Sequence, residues 1–189
     1  MIISLIAAMD KNRVIGQNGR LPWRLRADMR RFVDLTLGKP VIMGRKTYDS
    51  IQPKYKPLHG RTNIILTHNR DYGAPGCQVV HSLDEALAAA NGAPEVMVIG
   101  GAAVYEQFLP RADRLYLTII DAAFDGDATF PPYDHSAWTI TAREAHEPDE
   151  KNPYPYQFLT LEKQATRDKR LDGSANVQSP ISSLPSPKP

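Results

Sequence analysis

The sequence predicts an α/β fold in three layers, built around an eight-stranded, mostly parallel sheet with an antiparallel C-terminal strand and about four helices. Short runs rich in β-branched residues alternate with segments of helical period along most of the chain, a pattern typical of a parallel sheet covered by helices. Residues 41–43 and 96–99 are apolar without alternation, as expected of central strands covered on both faces. The last three predicted strands follow one another without a helix, which indicates that this end of the sheet is antiparallel.

Eight segments have the composition of strands and four have the period of helices. Ser82 followed by Glu85 forms a capping box, which predicts the start of the third helix. The predicted strands are residues 2–9, 40–43, 62–66, 78–81, 96–99, 114–120, 138–143 and 156–162. The predicted helices are residues 25–36, a short helix after Arg45, residues 83–90 and residues 102–109.

The composition divides the chain of 189 residues into one domain and a tail. Residues 1–164 hold all the predicted elements and are long enough to enclose a sizeable core. From Ala165 onward Ser, Pro, Asn and Gly become frequent, a composition that does not fold alone. We therefore expect one domain at residues 1–164 and a disordered or vector-derived tail at residues 165–189, with peptide docking by this tail as the less favoured alternative.

Charge and cysteine content exclude several classes of protein. The tail has four Lys and Arg residues against two Asp residues, which accounts for the whole formal net charge of +2. The domain is therefore neutral, which disfavours sequence-independent binding to nucleic acid. No apolar run is long enough to span a bilayer, and the single cysteine, Cys77, excludes an internal disulfide. We expect a cytoplasmic protein with no nucleic-acid or membrane partner.

The five histidines are the residues that would first suggest a metal site. Their spacing does not match that of metal ligands, so we predict no metal and place all five in loops or on the surface. They are His59, His68, His81, His135 and His146.

An acidic residue, Asp28, interrupts the apolar face of the first predicted helix. A buried carboxylate is unfavourable unless a cation or several donors meet it, and we expect the arginines of this helix to point mostly elsewhere. Asp28 would then bind a ligand that offers two N–H donors to one carboxylate. The alternative is an acid that faces water and interacts favourably with the helix dipole. The other residues on the face are Leu25, Met29, Phe32 and Thr36, and the arginines are Arg26, Arg30 and Arg31.

Ligands of α/β proteins collect beyond the carboxyl ends of strands, and the end of the second predicted strand is suited to a phosphate. Gly44 permits a tight turn there, and Arg45, Lys46 and Thr47 add two cations and a hydroxyl. Two basic residues suggest a phosphate beyond a pyrophosphate, such as the 2′-phosphate of NADPH. The alternative is a basic surface turn.

Two further strand ends carry weaker signals. The pair Gly100 and Gly101 follows residues 96–99 and permits close approach of a pyrophosphate, although a tight structural turn explains it equally well. The pair does not form the G-x-G-x-x-G fingerprint, so an ordinary Rossmann dehydrogenase is not supported. Thr67 and His68 follow residues 62–66, where they would line a ribose or adenine or form a polar loop.

Taken in order, motifs spread over residues 1–163 resemble those of dihydrofolate reductases of the bacterial chromosomal type. Each motif alone is weak, but the ordered set at near-family spacing is highly specific. The motifs are Leu5-Ile6-Ala7-Ala8, Val14-Ile15-Gly16, Leu21-Pro22-Trp23, Asp28, Phe32, Val41-Ile42-Met43-Gly44-Arg45-Lys46-Thr47, Ser50-Ile51, Gly60-Arg61 with Asn63, Val98-Ile99-Gly100-Gly101, Val104-Tyr105, Leu117-Thr118 and Gly126-Asp127.

The resemblance implies reduction of 7,8-dihydrofolate to 5,6,7,8-tetrahydrofolate, by hydride transfer from NADPH to pterin C6 and protonation of N5. It implies that Asp28 pairs with N3–H and the 2-amino group of the pterin, that Thr118 hydrogen-bonds this carboxylate, and that Trp23 holds an ordered water. Arg61 would bind the α-carboxylate of the glutamate tail. The residues implied for the walls around the pterin and benzoyl groups are Ile6, Met29, Phe32, Ile51, Leu58, Ile99 and Tyr105.

For NADPH, the resemblance implies a binding surface that runs from the first strand to the fourth helix. Residues 13–23 form a candidate lid loop over it, and the Gly100–Gly101 peptide bond is expected to be cis. Tyr105 is shared with the substrate. The residues implied for the cofactor are Ala8, Val14, Ile15, Gly16, Gly19, Arg20, Leu21, Gly44, Arg45, Lys46, Thr47, Thr67, His68, Gly100, Gly101, Ala102, Ala103, Val104 and Gln107.

Two other functions remain open from the sequence. One is a reductase of the same architecture acting on another pteridine or pyrimidine, such as the riboflavin-pathway reductase, although Asp28 with Arg61 favours folate. The other is a module that binds NADPH without chemistry. For the favoured function we expect a monomer whose partners are dihydrofolate and, as inhibitors, antifolates.

Overall fold

A computed structural model describes residues 1–164, and the predicted tail lies outside the described residues. The described part forms ten strands, four α-helices and three short 3₁₀ turns at Pro53–Tyr55, Leu109–Arg111 and His135–Ala137. The strands are β1 (Ile2–Asp10), β2 (Val14–Gly16), β3 (Val41–Gly44), β4 (Asn63–Leu66), β5 (Gln78–Val80), β6 (Glu95–Val98), β7 (Arg114–Ile120), β8 (Ala128–Thr129), β9 (Trp138–His146) and β10 (Tyr156–Lys163). The helices are α1 (Arg26–Thr36), α2 (Arg45–Ser50), α3 (Leu83–Ala89) and α4 (Ala102–Phe108).

Eight of these strands form one sheet in the order β5-β4-β3-β6-β1-β7-β10-β9. From β5 to β7 every neighbouring pair is parallel. β10 is antiparallel to both β7 and β9, so β9 runs in the direction of the parallel strands and β10 alone opposes them. The predicted mostly parallel sheet with an antiparallel C-terminal strand is confirmed.

Alternate residues of the central strands enter two hydrophobic clusters on opposite faces of the sheet, which produces the predicted three layers. Ile42 packs in one cluster with Phe108 of α4. Its neighbours Val41 and Met43 pack in the other cluster, against Phe32 of α1. All three strand residues have no exposed surface, which explains why this run is apolar without alternation.

The ends of most predicted elements lie within one residue of the observed ends, and β9 is longer than predicted. Helix α1 begins at Arg26 because Leu25 adopts an extended conformation with φ −134° and ψ 101°. The predicted capping box is present: Ser82 Oγ accepts a hydrogen bond from Glu85 N at 3.1 Å, and Glu85 Oε2 accepts one from His81 N at 2.8 Å. β9 continues three residues past the predicted end, to His146.

The longer β9 corrects our placement of one histidine. His146 lies on this strand with its ring stacked on Tyr156 at 4.7 Å between centroids, rather than in a loop or on the open surface. His81 is partly buried, and its Nδ1 lies 2.8 Å from Thr67 O. The other three histidines are exposed. Within residues 1–164, no three His, Cys, Asp or Glu residues are grouped in a way that could hold a metal ion.

A second, two-stranded sheet of β2 and β8 was not predicted. β2 lies in the lid loop, where Val14 pairs with Thr129 and Gly16 with Ala128. Strands of three and two residues are too short for a period to be recognised in sequence.

No helix of the described residues has both the length and the apolar character required to cross a membrane.

Candidate active site

Asp28 lies in the first turn of α1 and is partly buried. Burial raises the pKa of its carboxyl group above the ordinary value, and a hydrogen bond with the Thr118 side chain and the charge of Arg31 act in the opposite direction. Among residues 1–164 no cation lies within 4.0 Å of this carboxylate. Asp28 is therefore a buried acid whose oxygens are not occupied by a direct ion pair, as the sequence predicts.

The expectation that Arg31 points away from Asp28 is wrong. Residues three apart on a helix share a side, and the Arg31 guanidinium turns toward the sheet beneath Asp28. Its Nη1 donates to Leu117 O at 3.1 Å and its Nη2 to Leu159 O at 3.0 Å. A longer contact of 3.4 Å joins Nη1 to Thr118 Oγ1.

An apolar wall extends from Asp28 along the carboxyl edge of the sheet. Five of the residues implied for substrate binding belong to one hydrophobic cluster, and four of them are only partly buried, so they remain open to a ligand. The five are Ile6, Phe32, Ile51, Leu58 and Ile99.

Met29 lies outside this cluster, and half of its surface is exposed. It lines, with Asp28, a cavity of about 240 Å³ between α1 and the lid loop. The walls of the cavity are Leu21, Trp23, Arg24, Leu25, Arg26, Asp28 and Met29.

Trp23 presents a buried hydrogen-bond donor on the same side as Asp28. Its side chain packs on Phe124 with ring centroids 5.2 Å apart. Its Nε1 is buried and has no partner within the described part of the chain. A buried donor without a partner is unfavourable by roughly 1–3 kcal/mol, so Nε1 is suited to the ordered water that the resemblance implies.

Arg61 lies at the far end of the apolar wall. Its Nη1 donates to Thr36 Oγ1 at 3.0 Å and its Nε to His59 O at 2.9 Å. Its Cζ lies 5.9 Å from the centroid of the Phe32 ring. Burial lowers the pKa of this guanidinium, which nevertheless stays charged and can bind a carboxylate.

The ends of β3 and β6 lie side by side and form a cradle of small residues. Gly44 N donates to Gly100 O at 2.7 Å, and the Gly100–Gly101 peptide bond is cis, as the resemblance implies. A Cβ atom on Gly101 would lie 3.1 Å from Thr47 Oγ1, and one on Gly44 would lie 3.0 Å from Val104 Cγ2. Side chains at these two positions would crowd Thr47 and Val104.

Tyr105 connects the cradle to the acid. Its buried hydroxyl donates to Ile6 O at 2.6 Å. The hydroxyl oxygen and two ring atoms of Tyr105 lie 3.0–3.1 Å from the place of a Cβ on Gly100. Burial raises the pKa of the Tyr105 hydroxyl, and the charge of Asp28 raises it further. Tyr105 therefore lies against Gly100 and within electrostatic range of Asp28.

Most of the predicted cofactor residues around the cradle are exposed or partly exposed. Arg45 is partly exposed and forms an ion pair with Asp49 at 3.2 Å, while Lys46 and His68 are exposed. Thr67 is buried at the end of β4, whereas Gln107 is exposed and its amide donates to Ala103 O at 2.8 Å.

The remaining residues implied for the cofactor lie on three elements. Ala8 is on β1, Ala102, Ala103 and Val104 open α4, and Val14, Ile15 and Gly16 form β2, with Gly19, Arg20 and Leu21 exposed beyond them in the lid loop.

Sequence reasoning missed Asn152, which supports the site from the β9–β10 connection. Asn152 Oδ1 accepts a hydrogen bond from Ala27 N at 2.9 Å and so caps the first turn of α1 beside Asp28. The two residues are 125 positions apart, and no local sequence signal could have found this contact. The i, i+3 spacing could have indicated Arg31.

The fold and this site define an α/β protein with a buried acid beside a cavity, an apolar wall and a glycine cradle. Residues 2–163 match the family model described as dihydrofolate reductase. The chain belongs to the dihydrofolate reductase family.

Relatives and a solved structure agree with this assignment. The chain is 48% identical over 164 residues to dihydrofolate reductase type 3 of Salmonella typhimurium, which covers 87% of this chain and 99% of the relative. It is 47% identical over 162 residues to the dihydrofolate reductase of Bacillus subtilis, covering 86% and 95% of the two chains. A structure of dihydrofolate reductase from Enterococcus faecalis complexed with NADP(H) and RAB-propyl has a TM-score of 0.81 and 35% identity, covering 87% of this chain and 97% of that one.

Proposed function

We propose that the protein is an NADPH-dependent dihydrofolate reductase that converts 7,8-dihydrofolate to 5,6,7,8-tetrahydrofolate. The observation that carries this proposal is Asp28, a buried carboxylate with no direct ion pair in residues 1–164, at the end of an apolar wall. Membership of the family and the NADP(H) complex of the Enterococcus faecalis relative support it. Dihydrofolate and antifolates are the expected ligands, and we expect a monomer.

The cradle fits a dinucleotide. A Cβ at Gly44, Gly100 or Gly101 would lie 3.0–3.1 Å from protein atoms, so only glycine fits without crowding, and a backbone without side chains suits close approach of a pyrophosphate. Arg45 and Lys46 stand beside it as donors to a further phosphate, and Thr47 adds a hydroxyl. When bound, NADPH supplies the hydride of the reaction.

The pterin binds through Asp28, whose carboxylate accepts hydrogen bonds from N3–H and the 2-amino group. Thr118 holds the carboxylate, and Phe32 with Ile51 encloses the ring. Arg61 binds the carboxylate of the glutamate tail at the far end of the wall.

The chemistry reduces the C6=N5 double bond of the pterin. Hydride adds to C6, the electron pair of the double bond moves to N5, and N5 takes a proton. Asp28 orients and polarises the ring, and solvent that enters past the lid loop donates the proton to N5.

The test follows NADPH oxidation by absorbance with dihydrofolate, with a riboflavin precursor, and with neither. We expect oxidation with dihydrofolate alone. Asp28→Asn should keep the fold and NADPH binding, measured by circular dichroism and fluorescence titration, and lose about 100-fold or more of turnover at neutral pH, as when an electrostatic partner of the transition state is removed.

The matched control is Asp34→Asn, which removes an exposed acid of the same helix. Near-normal turnover of Asp28→Asn would remove Asp28 from the mechanism. Oxidation only with the riboflavin precursor would identify the other reductase, and tight NADPH binding without any oxidation would identify a nucleotide-binding module.

A further inference from the structure

Arg31 is a partly buried cation that the reaction described above does not use. Its guanidinium donates to Leu117 O, Leu159 O and Thr118 Oγ1. Leu117 and Leu159 are opposite each other in the β7–β10 ladder, so one planar group bridges the two strands. Phe158 covers its face, with 4.5 Å between Arg31 Cζ and the ring centroid, a favourable cation–π distance.

These contacts hold the cation close to Asp28 without a direct ion pair. Thr118 interacts with both charges: its Oγ1 accepts from Arg31 Nη1 at 3.4 Å, and its side chain lowers the pKa of the Asp28 carboxyl group. A hydroxyl that accepts from one group keeps its own proton for another acceptor. The Thr118 hydroxyl, which accepts from Arg31, therefore has its own proton to donate to Asp28.

We propose that Arg31 is a positioning residue for Asp28: from the β7–β10 ladder it keeps the carboxylate ionised and orients it through Thr118, without itself binding the carboxylate oxygens. This inference rests on the proposed role of Asp28 in binding the pterin. A direct ion pair would occupy the oxygens that the two N–H groups need. Burial without a cation would favour the neutral acid, in which one oxygen carries a proton and donates instead of accepting.

Other charged and titratable groups face this pair from several elements. Burial and the charge of Asp28 both raise the pKa of the hydroxyls of Tyr105 in α4 and Tyr156 in β10, so both hydroxyls are neutral near pH 7. Asp149, in the β9–β10 connection, acts on Tyr156. Tyr116 of β7 and the exposed Glu144 of β9 act on Arg31, and the exposed Arg24 and Arg26 line the cavity beside Asp28. Within the described residues, Arg31 is the cation that lowers the pKa of Asp28.

The experiment titrates Asp28 directly in the full chain. Protein labelled with ¹³C at the aspartate carboxyl carbons is followed by NMR across pH, and the Asp28 signal is assigned from its loss in Asp28→Asn. Arg31→Met keeps an unbranched side chain against Phe158 but removes the charge, and we expect the Asp28 midpoint to move to higher pH. Arg31→Lys keeps the charge and should stay close to wild type.

The same variants are compared in the pH dependence of kcat/KM with dihydrofolate. We expect the acidic limb of Arg31→Met to move to higher pH, with activity recovering as pH rises, because deprotonation then restores the acceptor. A merely structural defect would lower activity at every pH. The control is Arg30→Met, which alters an exposed neighbour on the same helix and should leave both midpoints unchanged.

An Asp28 midpoint in Arg31→Met equal to that of wild type would overturn the inference. Should that variant not fold, Arg31→Gln, which can retain one carbonyl contact without the charge, is titrated in its place, and an unchanged midpoint counts equally against the inference. Because the NMR titration needs no substrate, a wild-type protein inactive on dihydrofolate would end the proposed function, whereas an active one with an unmoved midpoint would end only the role of Arg31.

Discussion

At the scale of single residues, this chain stabilises two buried acids in opposite ways. Glu95 accepts hydrogen bonds from Lys39 Nζ at 2.6 Å and Ser4 Oγ at 2.5 Å, with Arg114 Nη1 at 3.6 Å. Burial acts to raise the pKa of Glu95, but these donors and charges outweigh it, so that the pKa lies below its ordinary value. The pKa of Asp28 lies above its ordinary value. The Glu95 carboxylate therefore has its hydrogen-bond and charge partners within the protein, while we expect the Asp28 carboxylate to find its partners in a ligand.

The raised pKa of Asp28 predicts that Asp28→Asn stabilises the protein at neutral pH. A carboxyl group whose pKa is higher in the folded state makes folding less favourable when it is ionised in both states. We expect a higher Tm for Asp28→Asn near pH 7, and a difference from wild type that shrinks as pH falls through the folded-state pKa toward the unfolded-state value. Thermal unfolding of both proteins across pH measures this, without NADPH or dihydrofolate.

Glu95→Gln is the matched control because its sign is opposite. The lowered pKa of Glu95 contributes stability above its unfolded-state pKa, and this contribution is lost as pH falls through the folded-state pKa. Glu95→Gln should therefore be less stable than wild type at neutral pH and approach it in acid. A Tm of Asp28→Asn below wild type at neutral pH would show that the Asp28 carboxylate is satisfied without ligand.

How much of the site could be predicted depends on how far apart its partners lie in the chain. Asp28 and the glycine pair were predictable because the helical face and the strand end that place them are local. The acceptors of Arg31 were not, since Leu117 and Leu159 lie 86 and 128 residues away and become neighbours only when the sheet forms.

At the scale of elements, the same distinction separates the strands that were predicted from those that were not. β3 and β6 are continuous apolar runs because both faces of each strand are covered, and this signal survives in the sequence. β2 and β8 pair with each other at two positions, and neither is long enough to show a periodic pattern. Leu25, at the N-cap of α1, has no side-chain acceptor, and a first-turn N–H of this helix donates instead to Asn152 of the β9–β10 connection.

That distant cap predicts the effect of Asn152→Ala. Removing the acceptor of Ala27 N leaves a first-turn N–H without its partner, which lowers the free energy of unfolding by about 1 kcal/mol. Urea unfolding at constant pH measures the change. Because Asp28 is the next residue, we also expect KM for dihydrofolate to rise.

Lys151→Ala serves as the control, since it alters the exposed neighbour of Asn152 and leaves the cap in place. Equal urea midpoints for Asn152→Ala and Lys151→Ala would contradict a role for the cap.

At the scale of the whole molecule, the lid loop is tied to the connection between β7 and β8. The buried Asp10 carboxylate at the end of β1 accepts hydrogen bonds from Val14 N and Phe124 N, both at 2.8 Å. Farther along the loop, Asp127 Oδ2 accepts one from Asn18 N at 3.0 Å. These contacts place β2 against β8, and the cavity beside Asp28 lies under the same loop. Closure of the site therefore depends on a segment about 100 residues from Asp28 in sequence.

Gly126 packs closely against Val14 and Gly16 of β2, and Gly126→Ala tests whether this contact matters for closure of the site. A Cβ there would meet the Val14 side chain and lie 2.7 Å from Gly16 O, so β2 must move away. The eight-stranded sheet is not touched, and we expect Tm to fall little while NADPH binds more weakly and dihydrofolate turnover drops by about 100-fold, as displacement of a site by about 1 Å can produce. Gly73→Ala is the control, because a Cβ at Gly73 meets nothing within 4 Å. If the two variants turned over dihydrofolate equally fast, the β2–β8 contact would have no part in closing the site.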